Sequence, residues 1–152
     1  MSDENATKKE TTVAKFELKI EGKLESLPKI SAFIDETMRQ CNIESLRDVY
    51  AVQLSVDEAC TNIIKHAYSS KNKGEIAICC VFSENQKFIV NITDWGVPFD
   101  PTVLPEPDTE SDLKQRKVGG LGVFFMRKFM NEITYVRSDD ANLLTLAKYI
   151  EK

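Results

Sequence analysis

Apolar and polar residues alternate from Phe16 onward, with Phe16, Leu18 and Ile20 on one side. This period of two predicts a half-buried strand over residues 14–21, closed by Gly22. The period then lengthens. Ile30, Phe33, Ile34, Thr37 and Met38 recur at helical spacing and predict a helix to about Gln40. Ser26 is its expected N-cap, and Pro28 falls in its first turn. A longer stripe of Val49, Val52, Val56, Cys60, Ile63 and Ala67 predicts a second helix over residues 46–68. Residues 75–82 and 87–93 are β-rich and read as a hairpin across Ser83-Glu84-Asn85-Gln86. A polar, proline-bearing segment follows at 98–118, long enough to be a lid or binding loop. Gly119-Gly120-Leu121-Gly122 leads into a third helix at about 123–130. Two last strands, 132–137 and 143–150, meet at the turn Ser138-Asp139-Asp140-Ala141.

The order β-α-α-β-β-α-β-β predicts an α+β fold. The expected architecture is a two-layer sandwich, with a mixed, mainly antiparallel sheet and helices on one face. At 152 residues the chain suits one core, over 14–152, behind a disordered polar lead-in at 1–13. A net charge of −4 supplies no broad field for nucleic acid, and no apolar run is long enough to span a membrane, so a cytoplasmic protein is expected. Cys41, Cys60, Cys79 and Cys80 include no C-x-x-C pair; neighbouring Cys79 and Cys80 point to opposite faces of a strand. They read as small buried hydrophobes rather than a zinc site or a disulfide framework.

Three clusters could carry chemistry. Glu58, Asn62 and His66 are spaced i, i+4, i+8 on the long helix, inside an arc of roughly 80° beside the apolar stripe. Such an arc also suits a plain solvated face. Asp94-Trp95-Gly96 ends a strand; a carboxylate there can accept from a ligand amine, and Gly96 permits close backbone approach, though Asp and Gly also build ordinary turns. Gly119-Gly120-Leu121-Gly122 opens a helix, where backbone N–H groups and the helix dipole favour phosphate. No Gly-Lys-Ser/Thr follows, so it is not a Walker loop, and its spacing is not the dinucleotide fingerprint.

In this order the three clusters resemble the nucleotide site of the GHKL ATPase superfamily, whose members share the Bergerat-type ATP-binding fold. "SVDEACTNIIKHAY", "ITDWGVPFDP" and "VGGLGVFFMRKFMNEITY" are similar to one branch of it, the RsbW-like anti-sigma-factor serine-protein kinases. The resemblance implies that Glu58 is the catalytic carboxylate and Asn62 the Mg²⁺ ligand. It implies that Asp94 accepts from the adenine amine, that Gly96 flanks the base, and that Gly120, Leu121 and Gly122 hold ATP phosphates. Residues 99–118 would be the ATP lid, with Lys114, Arg116 and Lys117 in reach of the γ-phosphate. Two positions depart from the pattern. Pro98 stands where relatives often carry a second glycine, and Asn142-Leu143-Leu144-Thr145 stands where many have Gly-Thr. Thr145 is the residue from which an adenine contact is then expected, and His66 is expected to be satisfied by backbone or a neighbouring carboxylate.

The function implied is an Mg-ATP-dependent serine/threonine kinase that phosphorylates a STAS-type antagonist, with a sigma factor as a further partner and a homodimer as the assembly. The alternative is a nucleotide-gated module that sequesters its partner with little chemistry. Glu58 separates the two, because a module that only binds does not need a carboxylate beside the phosphates. A third alternative is an unrelated α/β protein whose glycines and carboxylates are structural.

Overall fold

The computed structural model describes residues 11–68, 73–103 and 120–151. Five strands form one sheet in the order β1-β2-β3-β5-β4: β1 Thr12–Glu21, β2 Glu75–Ser83, β3 Lys87–Asp94, β4 Glu132–Ser138 and β5 Ala141–Tyr149. Every neighbouring pair among them is antiparallel, so the sheet is not mixed as expected. Two tight hairpins join β2 to β3 and β4 to β5, and a hairpin can only return the chain antiparallel. Gln86 and Asp139 adopt left-handed backbone in these turns, at φ 66° and 52°.

Three helices, α1 Leu27–Gln40, α2 Leu46–Asn62 and α3 Gly120–Phe129, form the second layer, with α2 packed between the other two. The buried side of the sheet is set by alternation: Ile76, Ile78 and Cys80 of β2 and Phe88, Val90 and Ile92 of β3 are all fully buried against Ile30, Ile34, Val52 and Val56 of the helices. Each large aliphatic side chain removed from water in this way contributes about 2 kcal/mol. Lys15, Glu17 and Lys19 of β1 lie on the other, uncovered side.

Local chemistry explains the helix ends. Ser45 caps α2, its hydroxyl accepting from the Asp48 N–H at 3.3 Å. Ser26 does not cap α1. It ends a 3-10 turn, Leu24–Ser26, that runs straight into the helix, and its helical backbone (φ −80°, ψ −19°) keeps the hydroxyl off the first-turn N–H groups. The long helix is not uniform either. It is α-helical to Asn62 and then widens into one π-helical turn, Ile63–Ala67, closed by Tyr68 N–H donating to the Ile63 carbonyl at 2.9 Å. α3 begins at Gly120, so Gly120 and Gly122, expected ahead of the helix, lie in its first turn.

Tyr68 fastens this helix end to the sheet. Its hydroxyl donates to the Glu75 carbonyl at 2.5 Å and accepts from the Trp95 N–H at 2.9 Å. The ring lies against Gly22 and Gly74, where an added Cβ would overlap it. Glycine is required at both positions by that close approach.

Candidate functional site

The C-terminal part of α2, the end of β3 and the start of β5 meet at one edge of the core. A cavity of about 20 Å³ lies there, lined by Ala59, Asn62 and Ile63 from the helix, Asp94 from β3, Phe99 and Pro101 from the segment after β3, and Tyr135 and Leu144. Asn62 and Asp94, thirty-two positions apart in sequence, therefore line the same space. Asn62 is buried at 4% exposure rather than lying off the apolar stripe, and its Nδ2 has no hydrogen-bond partner. An unpartnered buried N–H group is costly, and the adjoining cavity is where a partner for it would sit.

Glu58 sits one helical turn before Asn62 and is half-buried. Its carboxyl is pushed above the ordinary glutamate range, first by burial and then by neighbouring Asp57, with Lys65 acting in the opposite direction. His66 does not continue the arc. The π-helical turn shifts its angle, and its exposed ring stacks on Phe99 with centroids 4.8 Å apart and planes 15° from parallel. Among the described residues this stacking, and not the expected backbone or carboxylate bond, is the contact His66 makes.

Asp94 is buried, and its Oδ1 accepts from the Gly96 N–H and from Asn142 Nδ2, both at 2.9 Å. Gly96 makes its close approach to the protein's own backbone: an added Cβ would run into the Ala67 carbonyl, where the Val97 N–H also donates at 2.9 Å. Gly96→Ala is expected to push the β3 end off the π-helical turn and destabilise the fold by about 1–3 kcal/mol, read as a lower melting temperature. An unchanged melting temperature would mean that this contact can relax freely.

Thr145 is not at this site. It faces the uncovered side of the sheet, where its hydroxyl donates to Asn91 Oδ1 at 2.8 Å. The β3–β5 register places Asn142 opposite Asp94 instead. Sequence reasoning missed Asn142, Tyr135 and Arg137, which only the hairpin register brings together, and Arg127, whose guanidinium donates to the Pro101 carbonyl at 3.0 Å and to the Thr102 carbonyl. Gly120, Leu121 and Gly122 contribute backbone to the first turn of α3, while Lys114, Arg116, Lys117 and lid residues 104–118 lie outside the described residues. Cys60 and Cys80 are buried, and burial raises both thiols; Cys41 and Cys79 are half-buried rather than fully enclosed. No disulfide and no metal-ligating group of three His, Cys, Asp or Glu occurs among the described residues.

A hydrogen-bonded carboxylate and a buried amide share one cavity in a three-helix, five-stranded antiparallel α+β domain. A family model described as a histidine kinase-like ATPase domain matches residues 20–148, and the chain belongs to that family. It lies on the RsbW-like serine-protein kinase branch of the GHKL superfamily, a class of ATP-dependent serine/threonine kinases. It is 34% identical over 108 residues to the serine-protein kinase RsbW of Bacillus velezensis, across 68% of this chain and 66% of that protein. To the serine/threonine-protein kinase BtrW of Bordetella bronchiseptica it is 31% identical over 105 residues, covering 69% and 73%. The aligned part thus spans about two-thirds of the length of these relatives. In fold it is similar to a structure of the RsbU and RsbW domains of a Mycobacterium tuberculosis protein, at a TM-score of 0.66 and 11% identity, over 91% of this chain and 33% of that one. It is also similar to a chain of the SiaB-SiaC complex of Pseudomonas aeruginosa, at a TM-score of 0.53 and 12% identity, over 97% and 95%.

The buried donor on the cavity suits an anionic oxygen of a nucleotide. Asn62 Nδ2 is a buried N–H donor without a partner, and a donor suits an oxygen acceptor rather than a metal ion. Magnesium would need the Asn62 amide oxygen instead, with its remaining ligands from phosphate and water.

Proposed function

We propose that this chain transfers the γ-phosphoryl group of Mg-ATP to a serine or threonine of a small STAS-type antagonist protein. A sigma factor is its second partner, a homodimer its assembly and the cytoplasm its place in a partner-switching circuit. The observation that carries this reading is the cavity shared by Asn62 and Asp94, with Glu58 one turn away on the same helix.

In this reading Asp94 accepts the exocyclic amine of adenine. The first-turn N–H groups at Gly120, Leu121 and Gly122 receive phosphate oxygens. Asn62 holds the magnesium, which when bound neutralises charge on the phosphates. Glu58 accepts the proton of the attacking hydroxyl, and the lid excludes the water that competes with it. The similarity to proteins named serine-protein kinases supports transfer to a protein hydroxyl rather than to water.

The present cavity has room for one water molecule, not for a purine ring. Nucleotide entry therefore requires Phe99 and Pro101 to move, which breaks the His66 stacking and the Arg127 contacts. Saturating Mg-ATP is expected to raise the melting temperature by several degrees, and Mg-GTP by less, because guanine presents an acceptor to Asp94. The single tryptophan, Trp95, adjoins Asp94 and is half exposed, so its fluorescence should change as the segment moves. Absence of both responses to ATP would remove this function. ATP-dependent capture of a partner without transfer of label to it would favour the sequestering module.

A further inference from the structure

Asn142 has every hydrogen-bonding valence of its amide engaged. Nδ2 donates to Asp94 Oδ1 at 2.9 Å and to the Gly96 carbonyl at 3.0 Å. Oδ1 accepts from the Tyr135 hydroxyl at 2.7 Å and from an Arg137 guanidinium N–H at 2.9 Å. Arg137 also reaches the Gly96 carbonyl, at 3.1 Å. The sheet builds this arrangement: Asp94, Asn142 and Arg137 are direct cross-strand neighbours on β3, β5 and β4. Asn142 is only 2% exposed, so water cannot substitute for its partners.

Two consequences follow. The amide orientation is fixed, because turning it over would set its oxygen against two acceptors and its nitrogen against two donors. The Asp94 carboxylate is fixed in turn, since both of its hydrogen bonds, from Gly96 and Asn142, fall on Oδ1. Oδ2 is left as the oxygen with acceptor capacity to spare on a residue that lines the cavity. Aspartate at 142 would set a second carboxylate against the first, and serine would supply one donor where two are used.

We propose that Asn142 is a positioning residue for base selection: by locking Asp94 through Oδ1 it presents Oδ2 as a fixed acceptor, which favours a purine bearing an exocyclic amine over one bearing a carbonyl at the same edge. The inference rests on Asp94 being the base acceptor and adds the residue that sets its selectivity. Tyr135 and Arg137 brace the amide through its oxygen, Tyr135 from the cavity wall. The phosphate-binding end of the site takes no part, so selection of the base should vary independently of affinity for the rest of the nucleotide.

ADP and inosine diphosphate share ribose and phosphates and differ at this edge as amine against carbonyl. Titration of both into the full chain, followed by calorimetry, separates base selection from general binding. Asn142→Ala is expected to weaken ADP by roughly tenfold and to leave inosine diphosphate within about twofold, so discrimination collapses. Tyr135→Phe keeps the amide, removes one brace and is expected to shift ADP alone by a smaller factor; it also carries the test if the alanine variant folds poorly. Parallel loss of both nucleotides, or an unchanged ratio in both variants, overturns the inference. Asp94→Asn keeps the two failures apart. If it abolishes discrimination while Asn142→Ala retains it, only the role of Asn142 fails. If wild type and Asp94→Asn discriminate equally, Asp94 is not the base acceptor and both readings fail.

Discussion

Glu58→Gln is expected to bind Mg-ATP as tightly as the wild-type chain, or slightly more tightly, and to lose phosphoryl transfer by roughly 10²-fold or more. A carboxylate close to a triphosphate raises the energy of the bound ground state, because like charges repel. Glutamine removes that charge and the basicity while keeping the size of the side chain. Burial and Asp57 already raise the Glu58 carboxyl, so its protonated form persists to higher pH than in an ordinary glutamate. The base is the deprotonated form. Activity is therefore lost as pH falls through this raised value, and the ascending limb of the rate profile should lie above the ordinary glutamate value of about 4.3. The limb should vanish in the glutamine variant. Single-turnover transfer of labelled phosphate to the antagonist, across pH, measures both effects. Wild-type rates in the variant would exclude Glu58 as the base.

The elements of this fold are legible in the chain because each one repeats its period. Phe16, Leu18 and Ile20 give β1, and the β2 and β3 alternation places Ile76 to Phe82 and Phe88 to Ile92 on the buried face. The π-helical turn is not legible. Val56, Cys60, Ile63 and Ala67 fit a regular α-helix equally well, and five residues are too few to tell a period of 3.6 from a wider one. The contact of His66 is not legible for the same reason: it depends on the extra rotation and on where Phe99 lands.

At the site, the residues found from sequence are those whose types announce chemistry within one segment, such as Glu58 and Asn62 four apart on a helix. Asn142 carries no such signal. Its meaning comes from a register in which it faces Asp94 across one strand pair and Arg137 across another. Thr145 was preferred for its hydroxyl, yet three positions along a strand reverse the face, and it points away from the cavity. The closing of the cavity by Phe99 and Pro101 is likewise a tertiary fact, since nothing local directs either side chain toward Asn62.

Asn62→Ala supplies the second large effect. Affinity for ATP in the presence of magnesium should fall on the order of 10²-fold, because the variant offers no side-chain oxygen to the metal. Affinity for ADP in a chelator should change little, since that binding relies on the base and phosphate contacts alone. The ligand-free fold makes the opposite demand. Asn62 is buried with Nδ2 unpartnered, so its removal deletes an unsatisfied polar group and leaves a modest space between Ala59 and Ile63. Those terms oppose one another, and the melting temperature of the free protein should stay within a few degrees of wild type. The contrast between the two measurements is the test. A residue kept for packing would lower stability and leave the magnesium dependence intact; a residue kept for the metal would do the reverse. If the alanine variant melts far below wild type and its ATP affinity still responds to magnesium as before, Asn62 is part of the core and the metal is held elsewhere.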